Sequence, residues 1–266
     1  MVVSALLKFL YPPPASVVIT AMSVINVLAM GNAGWMEAKG KNMQYSKLLR
    51  ADDDAAKEKP RVSGKVGMVA VYTPAFLAGA FSLIAFPLRD LRFTLLRAAI
   101  TTHFFKRLVE VLFVHKLSAM METKAMFAIS TGYFLSSAAM IYTQQLTLQL
   151  QEPSIDLKYI GVSLFLVGIG GNFYHHFLLS KLRNKGEKQY KIPQGGLFSV
   201  VICPHYLFEI IGFWGISCIS QTIFSVCVSL STTFYLLGRS YATRRWYQSK
   251  FEDFPKDVRA LIPFIF

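Results

Sequence analysis

The most informative stretch of the chain lies inside an apolar run and reads His103-Phe104-Phe105-Lys106-Arg107-Leu108-Val109-Glu110. Its polar residues fall at i, i+3, i+4 and i+7, the spacing that brings side chains onto one face of an α-helix. A charge at the centre of a bilayer costs roughly 2.5–3.5 kcal/mol. We therefore expect this face to point into a helix bundle. There the charges pair with one another, as in a structural Arg107–Glu110 ion pair, or bind an anionic ligand.

The composition places this run in a membrane protein. Of 266 residues, 53% are hydrophobic and 16% are charged, whereas soluble proteins average ~25% charged residues. The net charge of +13 would indicate nucleic-acid binding in a soluble chain, but beside this apolar excess it indicates basic loops next to a membrane. We predict no nucleic-acid partner. Cys203, Cys218 and Cys227 lie in apolar stretches without CxxC spacing, so neither a disulfide framework nor a zinc site is predicted.

Seven apolar runs reach roughly the ~20 residues that cross a bilayer. They lie at 14–31, 66–87, 93–115, 125–146, 158–180, 200–219 and 221–247. The predicted fold is therefore all-α, with seven transmembrane helices in a single membrane domain over residues 1–266. Pro12, Pro13 and Pro14 interrupt the opening run and no cationic segment precedes it, so a cleaved signal peptide is not expected.

The basic residues predict the orientation of these spans. With seven spans, segments 32–65, 116–124, 181–195 and the stretch from 239 onward share one side, and they carry 21 Lys and Arg residues. The opposite side carries four. Because cytoplasmic loops are enriched in Lys and Arg, the richer side, with the C-terminus, is predicted to be cytoplasmic.

Other predicted spans carry polar groups at helical spacing near the same side. They are Asn172 with His176, His205 with Glu209, and the series Tyr235, Arg239, Thr243 and Tyr247. The basic loop Lys181-Leu182-Arg183-Asn184-Lys185 lies next to them. This convergence predicts a polar cavity that opens to the cytoplasm and suits a polyanion such as a dinucleotide phosphate.

Two local patterns, a glycine-rich run and a pair of histidines, are expected to have a structural role and not to bind a ligand. The run from Gly168 to Phe173 begins like GxGxxG, but it lies inside a span without a preceding strand, so we expect close helix packing instead of a Rossmann turn. His175 and His176 are adjacent, and adjacent helical positions diverge by about 100°. No carboxylate cluster accompanies them, and no metal site is predicted.

The stretch from Gly170 to Phe266 resembles the C-terminal part of the steroid 5α-reductase family. The matching pieces are Gly171-Asn172-Phe173, Leu182-Arg183, Tyr190-Lys191-Ile192-Pro193-Gln194-Gly195-Gly196-Leu197-Phe198, Cys203-Pro204-His205-Tyr206 with Glu209, and Lys250 to Pro255 running into Ala260-Leu261-Ile262-Pro263-Phe264. Earlier in the chain, Gly40-Lys41 looks like the family's Gly-Lys after the first span. His103, Lys106-Arg107-Leu108 and Glu110 are similar to the third-span motif of the trans-2-enoyl-CoA reductase branch.

This resemblance implies a multi-pass enzyme of the endoplasmic reticulum membrane, with the seven-helix fold and a cytoplasmic cofactor site. It would use NADPH to saturate a carbon–carbon double bond conjugated to a carbonyl. Residues 1–150 would form the lipid-substrate side and residues 151–266 the NADPH-binding part. The implied cofactor contacts are His103, Arg107, Asn172, His176, Arg183, Tyr190, Lys191, His205, Glu209, Arg239 and Tyr247.

The chain departs from the steroid reductases at two positions that hold the substrate carbonyl in that family. Tyr72-Thr73-Pro74 stands where they have Glu before Pro in the second span, and Phe104 replaces the Tyr after the third-span His. The usual acid is therefore absent. Tyr206 is the first candidate for the catalytic donor because a Tyr stands there in the enoyl-CoA reductase branch, and Tyr72 is the second.

The function predicted first is reduction of the Δ4 bond of a 3-oxo-steroid, with the lipid entering between the apolar early spans. Reduction of a trans-2-enoyl-CoA thioester in very-long-chain fatty acid elongation is the close alternative. A membrane methyltransferase that uses S-adenosylmethionine and a lipid-binding protein without enzymatic activity are the further alternatives. The expected partners are the lipid or steroid substrate and membrane lipids, and the sequence identifies no partner protein.

Overall fold

The protein is described by a computed structural model that covers residues 8–41, 43–45, 48, 60–87, 90–182 and 189–266. Over these residues the fold is mostly helical, with seven α-helices and a small two-stranded sheet. The helices are α1 (Val17–Ala38), α2 (Gly64–Ala85), α3 (Leu91–Val109), α4 (Thr123–Gln145), α5 (Lys158–Lys181), α6 (Pro204–Ser220) and α7 (Ile223–Lys250). A π-helical turn (Glu110–Val114) continues α3, and a 3-10 turn (Gly196–Ser199) precedes α6.

Four of the helices begin at residues whose side chains cap free backbone N–H groups. Ser16, Ser63, Asp90 and Thr222 each accept a hydrogen bond from the backbone three residues later. Such caps stabilise a helix start by roughly 0.5–2 kcal/mol. The short polar segments between the apolar runs therefore define where these helices start.

Five helices are long and apolar enough to cross a membrane, namely α1, α2, α4, α5 and α7. The multi-pass membrane character predicted from composition is thereby confirmed. The other two fall short by length or by charge, because α6 has 17 residues and α3 carries Arg92, Arg97, Lys106 and Arg107. Seven helices are present among the described residues, while seven spans remain a prediction.

The first helix ends later than its apolar run predicted. The run ends at residue 31, whereas α1 continues to Ala38. The extra turns bring Glu37 into the interior, where its side chain is 1% exposed and forms an ion pair with Arg239. A charged residue that is neutralised inside the bundle does not have to end the helix.

Two short strands were not predicted from the sequence. β1 (Arg61–Ser63) and β2 (Met120–Glu122) pair antiparallel, with Val62 opposite Met121. At three residues each, they are too short to show an alternating pattern. The sheet joins the segments that lead into α2 and α4, and a bridge from Tyr45 to Met121 adds the segment after α1.

Successive helices run in opposite directions, so the connecting segments gather at two ends. The site end holds residues 39–41, 43–45, 115–122, 189–203 and 251–266, which are linked by the Tyr45–Met121 and Val201–Arg259 bridges. These segments overlap the four that the charge pattern assigned to one side, although residues 115 and 196–203 lie outside those four. The opposite end holds the starts of α1, α3, α5 and α7.

Glycines allow two helix pairs to approach closely. A Cβ on Gly168 of α5 would lie 2.4 Å from the backbone nitrogen of Gly212 on α6. A Cβ on Gly34 of α1 would lie 2.3 Å from a backbone oxygen of α7, at Phe234. The predicted role of the Gly168 region in close packing is confirmed, and the α1–α7 approach positions Glu37 beside Arg239.

A buried arginine ties the opposite end together. Arg92 is 1% exposed and donates to Gln221 Oε1 at 2.7 Å and to Asp156 Oδ1 at 2.7 Å. Although burial disfavours the charged form of Asp156, hydrogen bonds from the side chain and backbone of Lys158 and the charge of Arg92 lower its pKa to about 2. Gln221 in turn donates to the carbonyls of Phe9 and Ile155. The described segments at this end are thus fastened to one another.

Candidate functional site

An ionic cluster lies between α2, α3, α5 and α6 at the site end. We use this name for the set Tyr72, Lys106, Arg107, Glu110, Asn172, His176, His205 and Glu209. Apart from Lys106 and Arg107, all of them are buried. Of the residues predicted to bind the cofactor, five belong to this set: Arg107, Asn172, His176, His205 and Glu209.

Glu110 is the centre of this cluster. Its carboxylate is fully buried and accepts hydrogen bonds from Lys106 Nζ at 2.7 Å and from Arg107 NH1 at 2.8 Å. His176 Nδ1 lies 3.1 Å from the same carboxylate. The π-helical turn starts at Glu110, and such turns are frequent at functional sites. The expected pairing of the third-span charges inside the bundle is therefore present.

Arg107 links the carboxylate to a tyrosine on α2. Its NH2 group donates to the Tyr72 hydroxyl oxygen at 2.6 Å, while NH1 lies 3.0 Å from His176 Nδ1. Because the Tyr72 oxygen accepts this bond, the hydrogen of its hydroxyl is free to donate elsewhere. Tyr72 is therefore held as a donor by a cation that is itself held by Glu110.

Asn172 connects α3, α5 and α6. Its amide nitrogen donates to the His205 carbonyl at 2.7 Å and lies 3.4 Å from Glu209 Oε2, and its oxygen accepts a hydrogen bond from Lys106. All of these groups lie between helices inside the bundle, where an unpaired polar group is costly. Asn172 thus holds both the lysine and the start of α6 in place.

A second polar group, which we call the Arg239 clasp, lies between α1 and α7. Arg239 NH1 contacts both carboxylate oxygens of Glu37, at 2.8 and 2.9 Å, and its guanidinium stacks 4.0 Å from the Tyr45 ring centroid. Arg239 also donates to the carbonyls of Met43 and Tyr45. The Tyr45 hydroxyl lies 3.1 Å from that of Tyr235.

Tyrosines join the ionic cluster to the clasp. The Tyr206 hydroxyl interacts electrostatically with Tyr45, Arg239 and Glu209. The Tyr72 hydroxyl interacts with Arg107, Glu209 and Tyr45. Both candidate donors therefore lie near charged groups of α3, α6 and α7 and near Tyr45, in the segment after α1.

The remaining predicted contacts lie at the edges of this region or beyond it. His103 is buried behind the ionic cluster and packs its ring edge against Phe104 and Phe213. Tyr190 packs on Trp246 at 4.9 Å and Lys191 is exposed. Tyr247 is buried in a separate small core at the end of α7. Arg183 lies outside the described residues.

The Gln-Gly-Gly-Leu-Phe segment is fastened to α5 by a histidine. His175 Nδ1 lies 2.7 Å from the Gly171 carbonyl, and its Nε2 accepts a hydrogen bond from the Leu197 N–H at 3.1 Å. Gly196 has φ +53°, and a Cβ there would lie 2.8 Å from His175 Nε2. Glycine at 196 thus lets the segment close over the start of α6.

An uncharged cavity of about 140 Å³ lies beside the two polar groups, toward the middle of the bundle. Its walls come from α1, α3, α4, α6, α7 and the segment after α1. Among the described residues, no Lys, Arg, His, Asp or Glu lines it. The polar lining residues are Asn26, Tyr45, Tyr133, Ser136, Ser137, Ser231, Thr232 and Tyr235, and the others include Met30, Phe104, Gly132, Met140, Phe213 and Val228.

Three members of this site were missed by sequence reasoning. Glu37 and Tyr45 lay in the segment interpreted as a polar loop, and the sequence contains no local sign of their partner Arg239. Tyr133 is one tyrosine in an apolar span, where aromatic residues are common. The one available signal for Glu37 was an acidic residue less than two helical turns after the end of an apolar run.

Glu110, His115 and His176 are the group among the described residues that resembles a metal ligand set, with candidate ligand atoms within 4.8 Å of one another. The same carboxylate already binds Lys106 and Arg107. These two cations would repel a divalent ion at this distance. The prediction of a site without metal therefore remains our interpretation.

Two buried polar atoms have unused bonding capacity suited to an anionic, hydroxyl-rich ligand. Arg107 Nε and Thr243 Oγ1 are buried and have no hydrogen-bond partner among the described residues. Thr243 lies one turn beyond Arg239 on α7. Unpaired groups of this kind are rare in folded interiors, and a dinucleotide offers phosphate and ribose oxygens to both. The residues present therefore fit such a cofactor.

A family model and several individual proteins are similar in sequence to this chain. A family model described as 3-oxo-5-alpha-steroid 4-dehydrogenase matches residues 115–266. The chain is 40% identical over 119 residues to 3-oxo-5-alpha-steroid 4-dehydrogenase 2 of Sus scrofa, which covers 42% of this chain and 44% of that protein. It is 40% identical over 105 residues to 3-oxo-5-alpha-steroid 4-dehydrogenase 1 of Rattus norvegicus, covering 40% of each.

A relative named for a different substrate matches a longer stretch. The very-long-chain enoyl-CoA reductase of Dictyostelium discoideum is 33% identical over 165 residues, which cover 61% of this chain and 55% of that protein. The matched stretches thus span between 40% and 55% of the length of these three relatives.

Proposed function

This chain belongs to the 3-oxo-5-alpha-steroid 4-dehydrogenase family, and from this membership we propose that it is an NADPH-dependent membrane reductase. Members named in the comparisons are a steroid dehydrogenase and an enoyl-CoA reductase, both of which act on carbon–carbon bonds next to a carbonyl. The proposed reaction saturates such a bond. We place the enzyme in the endoplasmic reticulum membrane, with the site end facing the cytoplasm as the basic loops predict.

One observation carries this proposal: a charged region and an uncharged cavity meet at Tyr45 and Tyr133. Both tyrosines line the cavity. The Tyr45 ring stacks on Arg239, and the Tyr133 ring packs on Tyr72, the partner of Arg107. The charged region, made of the ionic cluster and the Arg239 clasp, suits an anionic cofactor. The uncharged lining of the cavity matches the apolar body of a lipid. A bound lipid would widen the cavity beyond its 140 Å³, since ligand pockets commonly measure about 300–1,000 Å³. A reductase of this kind has to hold both ligands side by side, and the two environments meet at these tyrosines.

The residues that would hold NADPH are the cations and donors of the site end. Arg107 Nε and Thr243 Oγ1 have unused bonding capacity, and Lys106 supplies a further positive charge. Arg239 is paired with Glu37, so it would contribute donors while its charge stays compensated. When bound, NADPH supplies a hydride, so that enone, NADPH and one proton give the saturated carbonyl compound and NADP⁺.

The chain's own contribution is to stabilise charge on the substrate. As the β-carbon gains a C–H bond, the electron pair of the double bond moves toward the carbonyl oxygen. A positioned donor to that oxygen lowers the barrier. Tyr72 is held in this role by Arg107, which occupies its oxygen and leaves its hydrogen free. Tyr206 is the second donor candidate, with Arg239 and Glu209 as its charged neighbours.

The lining of the cavity supports an uncharged enone such as a 3-oxo-Δ4 steroid as the substrate. Neither acids nor cations line it, and its hydroxyls and one amide can bind uncharged oxygens. The proposed path for the lipid is lateral entry from the bilayer.

An enoyl-CoA thioester is the second candidate substrate. The alignment with the Dictyostelium discoideum enoyl-CoA reductase favours it, because this alignment covers 61% of the chain. In this case the acyl chain would lie in the cavity and the polyanionic coenzyme A part would stay at the basic site end.

A substrate panel tests the proposal. Full-length protein purified in detergent is given NADPH with testosterone, with androst-4-en-3-one or with trans-2-hexadecenoyl-CoA, and NADPH absorbance is followed together with product mass. Oxidation coupled to saturation of one of these substrates supports the proposal and identifies the class. The Arg107→Met variant controls for contaminating reductases, since it should lose turnover.

The alternatives make different predictions in the same assay. A lipid-binding protein would bind steroid without oxidising NADPH, and a methyltransferase would bind S-adenosylmethionine and not NADPH. Either result in folded protein would show that the proposed function is wrong.

A further inference from the structure

We propose that Tyr133, on α4, is a further catalytic residue, which donates a hydrogen bond to the substrate carbonyl together with Tyr72. It would replace the hydroxyl that is absent at Phe104. This inference rests on the proposed function and adds a residue that neither the sequence patterns nor the family motifs pointed to.

Three aromatic rings from three helices form one cluster at the edge of the cavity. The Tyr133 ring lies 5.8 Å from the Tyr72 ring and 5.3 Å from the Phe104 ring, measured between centroids. Tyr72 and Phe104 are 6.4 Å apart. Tyr133 therefore reaches the same place as the two positions at which the steroid reductases carry their acid and tyrosine.

The Tyr133 hydroxyl is available to a ligand. No hydrogen bond joins it to a described residue, whereas the hydroxyls of Tyr72 and Tyr235 are both engaged. Its electrostatic neighbours are Glu209, Tyr72 and Arg107. The side chain lines the uncharged cavity, so the free donor belongs to the compartment assigned to the substrate.

A second hydroxyl on the same face of α4 indicates that this wall is built for an oxygen-bearing ligand. Ser137 follows Tyr133 by four residues and also lines the cavity. Its side chain is 1% exposed, and its Oγ has no hydrogen-bond partner among the described residues. Buried hydroxyls are normally bonded, and a ligand oxygen would satisfy this one.

Two donors suit the chemistry of an enone. A carbonyl oxygen has two lone pairs and can accept from Tyr72 and Tyr133 at once. Its negative charge grows as the double-bond electrons move onto it, so both hydrogen bonds strengthen in the transition state. Neither hydroxyl has to lose its proton in this step. The α-carbon afterwards takes its proton from Tyr206, the remaining donor candidate, which regains one from water.

The first test is a relocation of the hydroxyl. Tyr133→Phe is expected to lower kcat about tenfold or more with the Kd for NADPH unchanged. Adding Phe104→Tyr to that variant moves the hydroxyl to the neighbouring ring. We expect this double variant to recover at least a third of the decrease in log kcat. Tyr142→Phe, an exposed tyrosine of the same helix outside this cavity, is the matched control and should behave as wild type.

The second test does not depend on turnover. Androst-4-en-3-one added to the purified protein should raise its thermal unfolding temperature, and Tyr133→Phe should reduce this rise while Tyr142→Phe keeps it. Wild-type kcat and an unreduced rise in Tyr133→Phe would overturn the role of Tyr133. Failure of the wild type to reduce any enone would instead count against the proposed function, and the binding test would then decide whether Tyr133 contacts the ligand.

Discussion

Glu37 and Arg239 form a buried ion pair although 202 residues separate them in the chain, with 2.8 Å between Oε1 and NH1. Both side chains are at most 2% exposed. The contact joins the end of α1 to the middle of α7, and the close approach of these helices at Gly34 and Gly238 makes it possible. It holds Tyr45 over the guanidinium and thereby shapes the wall between the charged region and the cavity.

Glu37→Gln should strongly destabilise the protein. The change keeps the size of the side chain but leaves Arg239 as an uncompensated buried charge, which costs about 3–5 kcal/mol in comparable cases. Thermal and denaturant unfolding in detergent measure the loss. The double variant Glu37→Met with Arg239→Met should be more stable than Glu37→Gln, and the opposite order would mean that the pair has another role.

Tyr206→Phe is expected to lower turnover at least about tenfold, because a proton donor to the substrate contributes on the order of 10²–10⁴-fold. Removing one hydroxyl should leave the Kd for NADPH little changed. Steady-state kinetics and NADPH titration measure the two quantities separately. Unaltered turnover would remove Tyr206 from the mechanism and leave Tyr72 as the primary donor.

Arg107 and Tyr72 should act as one unit. Lysine at 107 keeps the charge but cannot reach Glu110, His176 and Tyr72 with a planar fork, so Arg107→Lys should lower kcat by about tenfold. Because Arg107 is proposed to act through the Tyr72 hydroxyl, the Tyr72→Phe and Arg107→Lys effects should be less than additive in the double variant. Fully additive effects, measured as ΔΔG‡ from kcat/KM, would show that the two residues act independently.

Two neighbouring glycines of α5 should respond in opposite ways to the same substitution. A Cβ at Gly168 would lie 2.4 Å from the backbone of α6, so Gly168→Ala must push the two helices apart and lower the free energy of unfolding by about 1–3 kcal/mol. Gly170 faces outward with nothing within 4 Å. Gly170→Ala should be neutral or stabilise by up to about 1 kcal/mol, owing to the better helix propensity of alanine. Equal effects in thermal unfolding would contradict the packing described here.

The end opposite the site should lose stability in acid. The pKa of Asp156 is lowered in the folded protein from 3.8 to about 2. Its contribution to the free energy of unfolding is therefore present above pH 3.8 and is lost as the pH falls toward 2. The hydrogen bond from Arg92 likewise lowers the pKa of Glu152. Because Asp156 is partly exposed, we expect it to contribute about 1 kcal/mol to the free energy of unfolding at neutral pH.

The check is a comparison of wild type and Asp156→Asn at pH 6 and pH 2. Their unfolding temperatures should differ at the higher pH, and most of this difference should be lost at the lower one. Asp253→Asn, at an exposed position near the C-terminus, serves as the control and should follow wild type throughout. A difference that stays constant with pH would mean that Asp156 contributes through interactions that do not depend on its ionisation.

Much of the architecture follows from local properties of the chain. Apolar runs predicted seven membrane spans. Among the described residues the structure has seven helices, five of them long and apolar enough to cross a membrane, because backbone polar groups in lipid are satisfied locally by a helix. The i, i+3, i+4 and i+7 spacing around Lys106 and Glu110 predicted an inward charged face, because the helical period alone determines which residues share a face. The C-terminal motifs identified the family.

The partnerships at the site depend on tertiary structure. Sequence spacing brought Asn172 near His176, but it carried no information that Glu37 would neutralise Arg239 or that Tyr133 would lie between Tyr72 and Phe104. Such contacts depend on the approach and rotation of helices, which close-packed glycines at Gly34, Gly168 and Gly238 determine. Local periodicity assigns a residue to a helix face, whereas packing between helices decides which face it meets.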